Sequence, residues 1–482
     1  MQFNSVDYAI FLVLVFTAYW LLSNHRRLQN ALLLLVSYFF YGCWSWRFLG
    51  LIAFTTLVDY IVCLYLDRTD RRIARNFLLS ISLVMNLGLL AVFKYYDFFV
   101  TSAEALLQSM GFRTDVRTLN LILPAGISFY TFQVLSYTID VYRRRIPVCK
   151  DPVEFFAYVA FFPQLVAGPI ERASELLPQF AAPRLFDYRQ AVGGLRFILW
   201  GLFTKVVVAD NCAPLVNIAF DKSDTLPSSS LVLGAVLFAF QIYGDFAGYS
   251  SIAIGSGALL GFQLTKNFAT PYFSRDIAEF WRRWHMTLTS WFRDYVYFPL
   301  GGSRVSKVQA CRNILIVFML SGLWHGANWT FVAWGVLNAI YFFKLFLLDK
   351  HRHNVGIVAE DRYLPTLPEL SAMLRTFFLT CIAWIFFRAA TMADAIQYIR
   401  ASCSYTLFSA PRFHGISSAR VAYVVFFVGV MLAAEWIQRK QDCPLIGMQL
   451  GWPLRWCIYL MLVFAVLVLG PEEQSVFIYF QF

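Results

Sequence analysis

Long apolar runs alternate along the chain with short segments that carry Lys and Arg. A helix needs about 20 apolar residues to cross a bilayer, and eleven runs reach or approach that length. They are Tyr8–Leu22, Leu32–Trp46, Phe48–Leu66, Phe77–Phe93, Leu119–Val141, Phe197–Phe220, Leu231–Phe262, Ile314–Phe343, Phe377–Phe387, Val421–Ile437 and Trp456–Leu469. The pattern predicts an all-α polytopic membrane protein with one multi-pass domain over residues 1–482.

Two apolar segments contain Pro and Gly and do not match a regular span. They are Leu123–Tyr130, which contains Pro124 and Gly126, and Phe161–Pro169. Irregular backbone at membrane depth is tolerated only where it is buried in protein or lines a cavity. Both segments therefore predict re-entrant or broken helices around an internal chamber.

Composition agrees with a membrane protein and gives an orientation. Only 14% of the 482 residues are charged, against roughly 25% in a soluble domain. The net charge of +11 is explained by Lys and Arg in cytoplasmic loops, so nucleic acid is not a predicted partner. Placing the basic clusters inside puts both termini outside. That count needs Ile314–Phe343 to turn back, although the stretch could also be one long tilted helix. The nine scattered cysteines form no CxxC or Cys/His cluster, so no metal site is predicted.

An imidazole lies in the uncharged stretch from Asn313 to Phe343. His325 follows Trp324 and stands between glycines, with Asn328 about one turn further on. A titratable side chain at membrane depth marks a candidate functional site. A neutral imidazole can act as a general base toward a hydroxyl. The alternative is a neutral core histidine that donates to a backbone carbonyl.

A second histidine lies in the charged, aromatic segment Asp276–Tyr297. The spacing predicts an interfacial amphipathic helix, in which Glu279 pairs with Arg283 four residues later. That helix explains the tryptophans and arginines but not His285. The basic residues nearby could attract the phosphates of a nucleotide-bearing donor, or could simply reflect cytoplasmic topology; they include Arg282, Arg283 and Arg293.

Asp245 is the only charged residue between Ser228 and Leu264. A buried carboxylate needs a partner. We expect an ion pair with an arginine of the basic segment 275–312 rather than a catalytic role. The chain also ends in an aromatic tail, residues 477–482, which is either an interfacial anchor or a segment that enters an apolar tunnel.

Several of these motifs resemble the membrane-bound O-acyltransferase (MBOAT) family, in the bacterial branch that contains the alginate O-acetylation and teichoic-acid D-alanyl transferase subunits. The matching stretches are Glu279–His285, Trp291–Tyr295, Gly301–Arg304, Arg312–Asn313, Trp324–Asn328, Pro124–Tyr130, Ser136–Tyr142, Ala167–Pro169 and Asp245–Ser250. The resemblance implies a helical bundle around a central tunnel, with His325 catalytic and His285 on the cytoplasmic approach of the donor. It implies that Asn313 and Asn328 are candidate orienting groups. The residues that it implies for the donor site or the tunnel are Trp324, Arg282, Arg283, Arg293 and Asp245.

The tail also resembles an aromatic motif found in that branch or in its companion peptides. The resemblance implies that Tyr479 relays the acyl group to an extracytoplasmic partner transferase. The predicted function is transfer of a short acyl group, such as acetyl, from a cytoplasmic thioester to an extracytoplasmic polysaccharide across the bacterial inner membrane. The donor would be acetyl-CoA or an acyl carrier protein, with no bound cofactor. D-Alanyl transfer is one alternative. A proton-coupled transporter using Asp245, His285 and His325 is another.

Overall fold

Helices form the regular structure of this protein, seen in a computed structural model that describes residues 1–165, 168–471 and 477–478. Among these residues there is no β-strand, only one isolated bridge between Phe413 and Ile416. Seven of the helices are long and apolar enough to cross a membrane by length and composition. The predicted all-α membrane class is therefore confirmed.

The described chain divides into two compact units. The single multi-pass domain over residues 1–482 stays a prediction. The first unit comprises Met1–Gly194 and Ser256–Thr265. Its helices are α1 (Val6–Leu21), α2 (Arg26–Arg68), α3 (Arg72–Leu90), α4 (Tyr96–Ser109), α5 (Ile127–Tyr142), α6 (Pro152–Ala160), α7 (Phe162–Leu165) and α8 (Ala173–Ala181). Helix α9 (Tyr188–Leu202) begins in this unit and ends in the second.

Some predicted spans in the first unit join, and one is shorter than expected. Leu32–Trp46 and Phe48–Leu66 lie in the single 43-residue helix α2, which is kinked at Ser45 with φ −161° and ψ 112°. Leu119–Val141 is helical only from Ile127, because the chain turns at Gly126 with φ 72°. Some apolar runs share one helix and others are helical over only part of their length. The eleven predicted runs therefore correspond to seven candidate spans in the described chain.

Both Pro- and Gly-containing segments have the irregular backbone that the sequence predicts. Before α5, the carbonyl of Ala125 accepts a hydrogen bond from the Tyr41 hydroxyl at 3.0 Å. After α6, Phe161 leaves helical geometry and α7 makes a single four-residue turn. Val166 and Ala167 lie outside the described residues. The predicted central tunnel stays a prediction.

The second unit comprises Leu195–Gly255 and Lys266–Phe482, of which 472–476 and 479–482 are not described. After α9 its helices are α10 (Asp210–Asp221), α11 (Ser228–Leu259, whose last turn belongs to the first unit), α12 (Ile277–Arg283), α13 (Met286–Phe292), α14 (Lys307–His325), α15 (Trp329–Leu347), α16 (Leu367–Arg388), α17 (Met392–Ala401), α18 (Ser418–Ile437) and α19 (Trp452–Val468). Two π-helical turns interrupt the unit, at Phe203–Ala209 and Arg293–Tyr297.

Helices α14 and α15 form a hairpin that contains the uncharged stretch. The break lies at Gly326, whose extended backbone has φ −164° and ψ 151°, and Asn328 then caps α15 by accepting from the Thr330 N–H at 3.1 Å. At the far ends, Lys307 Nζ donates to the Leu347 carbonyl at 3.4 Å. One long tilted helix is therefore wrong, and the chain turns back as the charge count requires.

Two glycines let the backbones of this hairpin touch. A Cβ on Gly322 would lie 2.2 Å from the Phe331 carbonyl oxygen, and one on Gly335 would lie 2.3 Å from that of Phe318. No real Cβ sits that close to a backbone atom, so any side chain at either glycine would push the two helices apart. The hairpin therefore depends on glycine at both positions.

We predict that Gly322→Ala destabilises the protein by about 1–3 kcal/mol, the usual cost of overpacking a core. The matched control is Gly429→Ala in α18, where a new Cβ meets nothing within 4 Å and Ala is the better helix former. Thermal unfolding of both variants in detergent measures the difference. Equal unfolding temperatures for the two variants would contradict the close approach.

Candidate active site

His325 is the last residue of α14 and is almost completely buried, with 3% exposed. Aromatic rings surround its imidazole, with centroids 5.0 Å away for Trp324, 5.1 Å for Trp334 on α15 and 5.2 Å for Phe387 on α16. Rings on three helices exclude water from this position. The imidazole therefore lies in an apolar cage at the turn of the hairpin.

His285 lies at a break between α12 and α13. The predicted single amphipathic helix over 276–297 is wrong, because two seven-residue helices meet at this residue. His285 has φ 43°, a left-handed conformation that is uncommon for a residue with a side chain. A backbone bond from the Met286 N–H to the Asn267 carbonyl, 2.9 Å long, holds the turn. Strained backbone of this kind clusters at functional sites.

Asn267 orients the His285 ring. Its Oδ1 lies 3.0 Å from His285 Nδ1 and accepts from the Thr287 hydroxyl at 3.0 Å, while its Nδ2 donates to Ser250 Oγ at 3.3 Å. Because an amide oxygen only accepts, the imidazole proton is on Nδ1 and the lone pair is on Nε2. Burial lowers the pKa of His285 to about 3, so the ring is neutral at neutral pH. Asn267 was missed from the sequence, where it is one polar residue in an ordinary loop.

The fold brings the two histidines together although 40 positions separate them in the sequence. Their ring centroids lie 6.5 Å apart, and the indole of Trp324 lies 5.7 Å from His285. A small group between the rings would contact both. This juxtaposition is the arrangement in the described chain that fits proton transfer to or from a bound substrate.

The two candidate asparagines make local structural contacts. Asn313 lies 12 residues before His325 on the same helix, about 18 Å along its axis at 1.5 Å per residue, and donates to the Leu300 carbonyl at 2.9 Å. Asn328 caps α15 and donates to the Ala390 carbonyl at 2.9 Å. Asn313 therefore lies away from the histidine pair. The Asn328 side chain is engaged in hydrogen bonds that hold the turn.

The three candidate arginines also have protein partners. Arg282 donates to two backbone carbonyls of segment 351–356, at 2.8 and 2.6 Å. Arg283 pairs with Glu279 at 2.9 Å, as the sequence predicts. Arg293 pairs with the next carboxylate in the chain at 2.8 Å and keeps 57% of its side chain exposed. Arg282 and Arg283 therefore hold a loop, and Arg293 is the most accessible to a solvent-borne anion.

Asp245 has a different ion-pair partner from the expected arginine. Its Oδ1 lies 2.6 Å from Lys205 Nζ, and Lys205 is in the π-helical turn 203–209 with no exposed surface. The prediction failed because Lys205 stands inside a long apolar run. The Asp245 Oδ2 accepts from the Ile478 backbone N–H at 2.7 Å. Tyr479, the predicted relay residue, lies outside the described residues.

Comparison with known proteins decides the family. Residues 143–350 match the model of MBOAT, the membrane-bound O-acyltransferase family. The chain is 31% identical to a peptidoglycan O-acetyltransferase of Helicobacter pylori, over 98% of this chain and 95% of that protein. It is 38% identical to a probable alginate O-acetylase of Azotobacter vinelandii, over 83% and 78% of the two chains. This chain belongs to the MBOAT family. A teichoic acid D-alanyltransferase of Streptococcus thermophilus is 30% identical over 51% of this chain.

Membership of the MBOAT family makes the protein a membrane acyltransferase. The predicted family and enzyme class are confirmed. The family match region contains both histidines, Asp245 and the α14–α15 turn. An acyltransferase is thereby favoured over the proton-coupled transporter.

We predict that Asn267→Ala lowers the acyl-transfer rate about tenfold, because losing one orienting hydrogen bond of about 1.4 kcal/mol corresponds to that factor. Thr287→Val is the matched control, since it removes another bond to the same amide and leaves the His285 contact in place. Initial rates of donor consumption compare the two. An unchanged rate in Asn267→Ala would show that this amide does not position His285.

Proposed function

We propose that this MBOAT protein transfers an acetyl group from a cytoplasmic thioester to a polysaccharide outside the bacterial inner membrane. The observation that carries the proposal is the buried pair of His285 and His325, 6.5 Å apart, in an acyltransferase of this family. Relatives named for O-acetylation of peptidoglycan and alginate support acetyl as the group and a polysaccharide as the acceptor. The substrate itself is inferred from those names.

In the proposed reaction His325 acts as the general base. Its imidazole takes the proton of an acceptor hydroxyl, and the oxygen attacks the thioester carbonyl carbon. The tetrahedral intermediate collapses with cleavage of the carbon–sulfur bond, and the imidazolium returns the proton to the leaving thiolate. His285, held by Asn267, positions the donor carbonyl from the other side. The cage of Trp324, Trp334 and Phe387 excludes water, which would otherwise hydrolyse the thioester.

The donor, the relay and the partner complete the proposal. The donor is acetyl-CoA or an acyl carrier protein on the cytoplasmic side, where the basic loops lie if both termini are outside. Tyr479 accepts the acetyl group and passes it to an extracytoplasmic partner transferase. D-Alanyl transfer remains the second candidate, because one matching relative is named teichoic acid D-alanyltransferase. Supplying acetyl and D-alanyl donors side by side to the purified protein distinguishes them.

We predict that His325→Ala abolishes donor thioester turnover, with a loss of at least about a hundredfold, the lower range for removing a general base. The control is His414→Ala, which removes an imidazole from an exposed loop. Release of free thiol from the donor by purified protein is the measurement. Turnover retained in His325→Ala would overturn the assignment of His325.

We predict that Tyr479→Phe stops acetylation of the polysaccharide in cells. The change keeps the aromatic ring and removes only the hydroxyl that would accept the acetyl group. Polysaccharide acetyl content in a strain that carries the variant is the measurement, with protein abundance in the membrane as control. Normal acetylation by Tyr479→Phe would rule out the relay and leave the aromatic tail as an anchor.

A further inference from the structure

The described end of the C-terminal tail meets a buried ion-pair cluster. Lys205 Nζ lies 2.6 Å from Asp245 Oδ1 and 2.7 Å from Asp210 Oδ1. The other oxygen of Asp245 accepts from the Ile478 backbone N–H at 2.7 Å. Lys205 and Asp210 have no exposed side-chain surface, and Asp245 keeps only 4%. The two oxygens of one carboxylate thus join the helical core to the tail.

This hydrogen bond depends on where the backbone of Ile478 lies and not on which side chain residue 478 carries. A carboxylate that accepts from a backbone N–H makes a short, charge-assisted hydrogen bond. Moving the chain past Asp245 by one residue would take the Ile478 N–H away from Oδ2 and break the bond. Asp245 can therefore fix the register of the tail, while Lys205 fixes the orientation of Asp245.

Aromatic side chains add a second contact next to the first. Phe477 is fully buried, with its ring centroid 4.5 Å from Tyr249 and 5.9 Å from Phe246. Both partners lie on α11 within four residues of Asp245. One helix therefore supplies the contact to the tail backbone and the contacts to the Phe477 ring. We call these three α11 residues, Asp245, Phe246 and Tyr249, the receptor of the tail.

The receptor adjoins the candidate active site through one ring. Phe246 packs edge-on against His285, with ring centroids 4.7 Å apart. The same Phe246 ring also contacts Phe477 of the tail. A tail residue and a histidine of the pair thus contact the same phenylalanine. Tyr479 follows Ile478 directly in the sequence.

We propose that Asp245 is a positioning residue that locks the register of the C-terminal tail beside the histidine pair, with Lys205 holding its carboxylate. The role rests on the proposed function, in which the tail carries the acetyl group. Asp245 itself takes no proton and forms no bond to the acyl group. The step that it supports is transfer of the acetyl group from the thioester to the tail, so thiol release and acetylation both depend on it.

The test compares Asp245→Asn with Asp59→Asn, which neutralises a buried carboxylate in the first unit that accepts from Asn86 at 2.7 Å. The first readout is hydrogen exchange of the C-terminal peptide in the full-length purified protein. We expect exchange at the Ile478 amide to rise about tenfold or more in Asp245→Asn, as for loss of a charge-assisted bond, and to stay unchanged in Asp59→Asn. Phe477→Ala, which leaves the ion-pair cluster intact, should raise it as well.

The second readout is activity, measured as thiol release from the donor and as acetylation of the polysaccharide. Because the thiol leaves only when the tail hydroxyl takes the acetyl group, Asp245→Asn should lower both rates by a similar factor, at least about tenfold. Unchanged exchange at Ile478 in Asp245→Asn and Phe477→Ala would overturn the positioning role, whatever the activity. Thiol release and acetylation that both stay within about threefold of the wild type in Asp245→Asn would overturn it too. If the wild-type protein transfers no acyl group, the proposed function fails, and the exchange result still decides whether Asp245 holds the tail.

Discussion

The candidate site depends on the backbone contact between α14 and α15. Gly322 and Gly335 leave no space for a Cβ, so the two helices touch along one seam and the chain must reverse within a few residues. His325 is the last helical residue before that reversal. The reversal therefore puts its imidazole against Trp334 of the returning helix. A wider hairpin would open the aromatic cage and admit water to the imidazole.

Several polar groups buried in the second unit have identified partners. Neutral imidazoles cost far less to bury than charged ones, and burial keeps His285 neutral by lowering its pKa to about 3. The amide oxygen of Asn267 accepts a hydrogen bond from Nδ1 of that ring. The Lys205 ammonium lies between the carboxylates of Asp245 and Asp210 and pairs with both. The second unit thus surrounds His325 with aromatic rings and holds His285 and Asp245 with polar contacts. Acyl transfer in competition with water requires such an arrangement.

The sequence predicts the membrane class, the family and the Glu279–Arg283 pair, because apolar length and helical spacing are local properties. It leaves open whether the chain reverses after His325 or continues as one long helix. It does not predict that Leu32–Trp46 and Phe48–Leu66 join in one kinked helix, because the charged residue Arg47 separates the two apolar runs. It misses Asn267, whose importance comes from the three side chains that meet it. It also assigns Asp245 the wrong partner, because a lysine inside an apolar run gives no signal of what it faces. Contacts across the fold decide each of these failures.

We propose that the acyl group passes from the donor thioester to the tail at the histidine pair. Mass spectrometry of the C-terminal peptide, after brief incubation of the purified protein with an acetyl thioester, tests it most directly. The account predicts one added acetyl group on Tyr479 in the wild type and none in His325→Ala. An unmodified tail in a wild-type protein that consumes the donor, or a fully acetylated tail in His325→Ala, would contradict it.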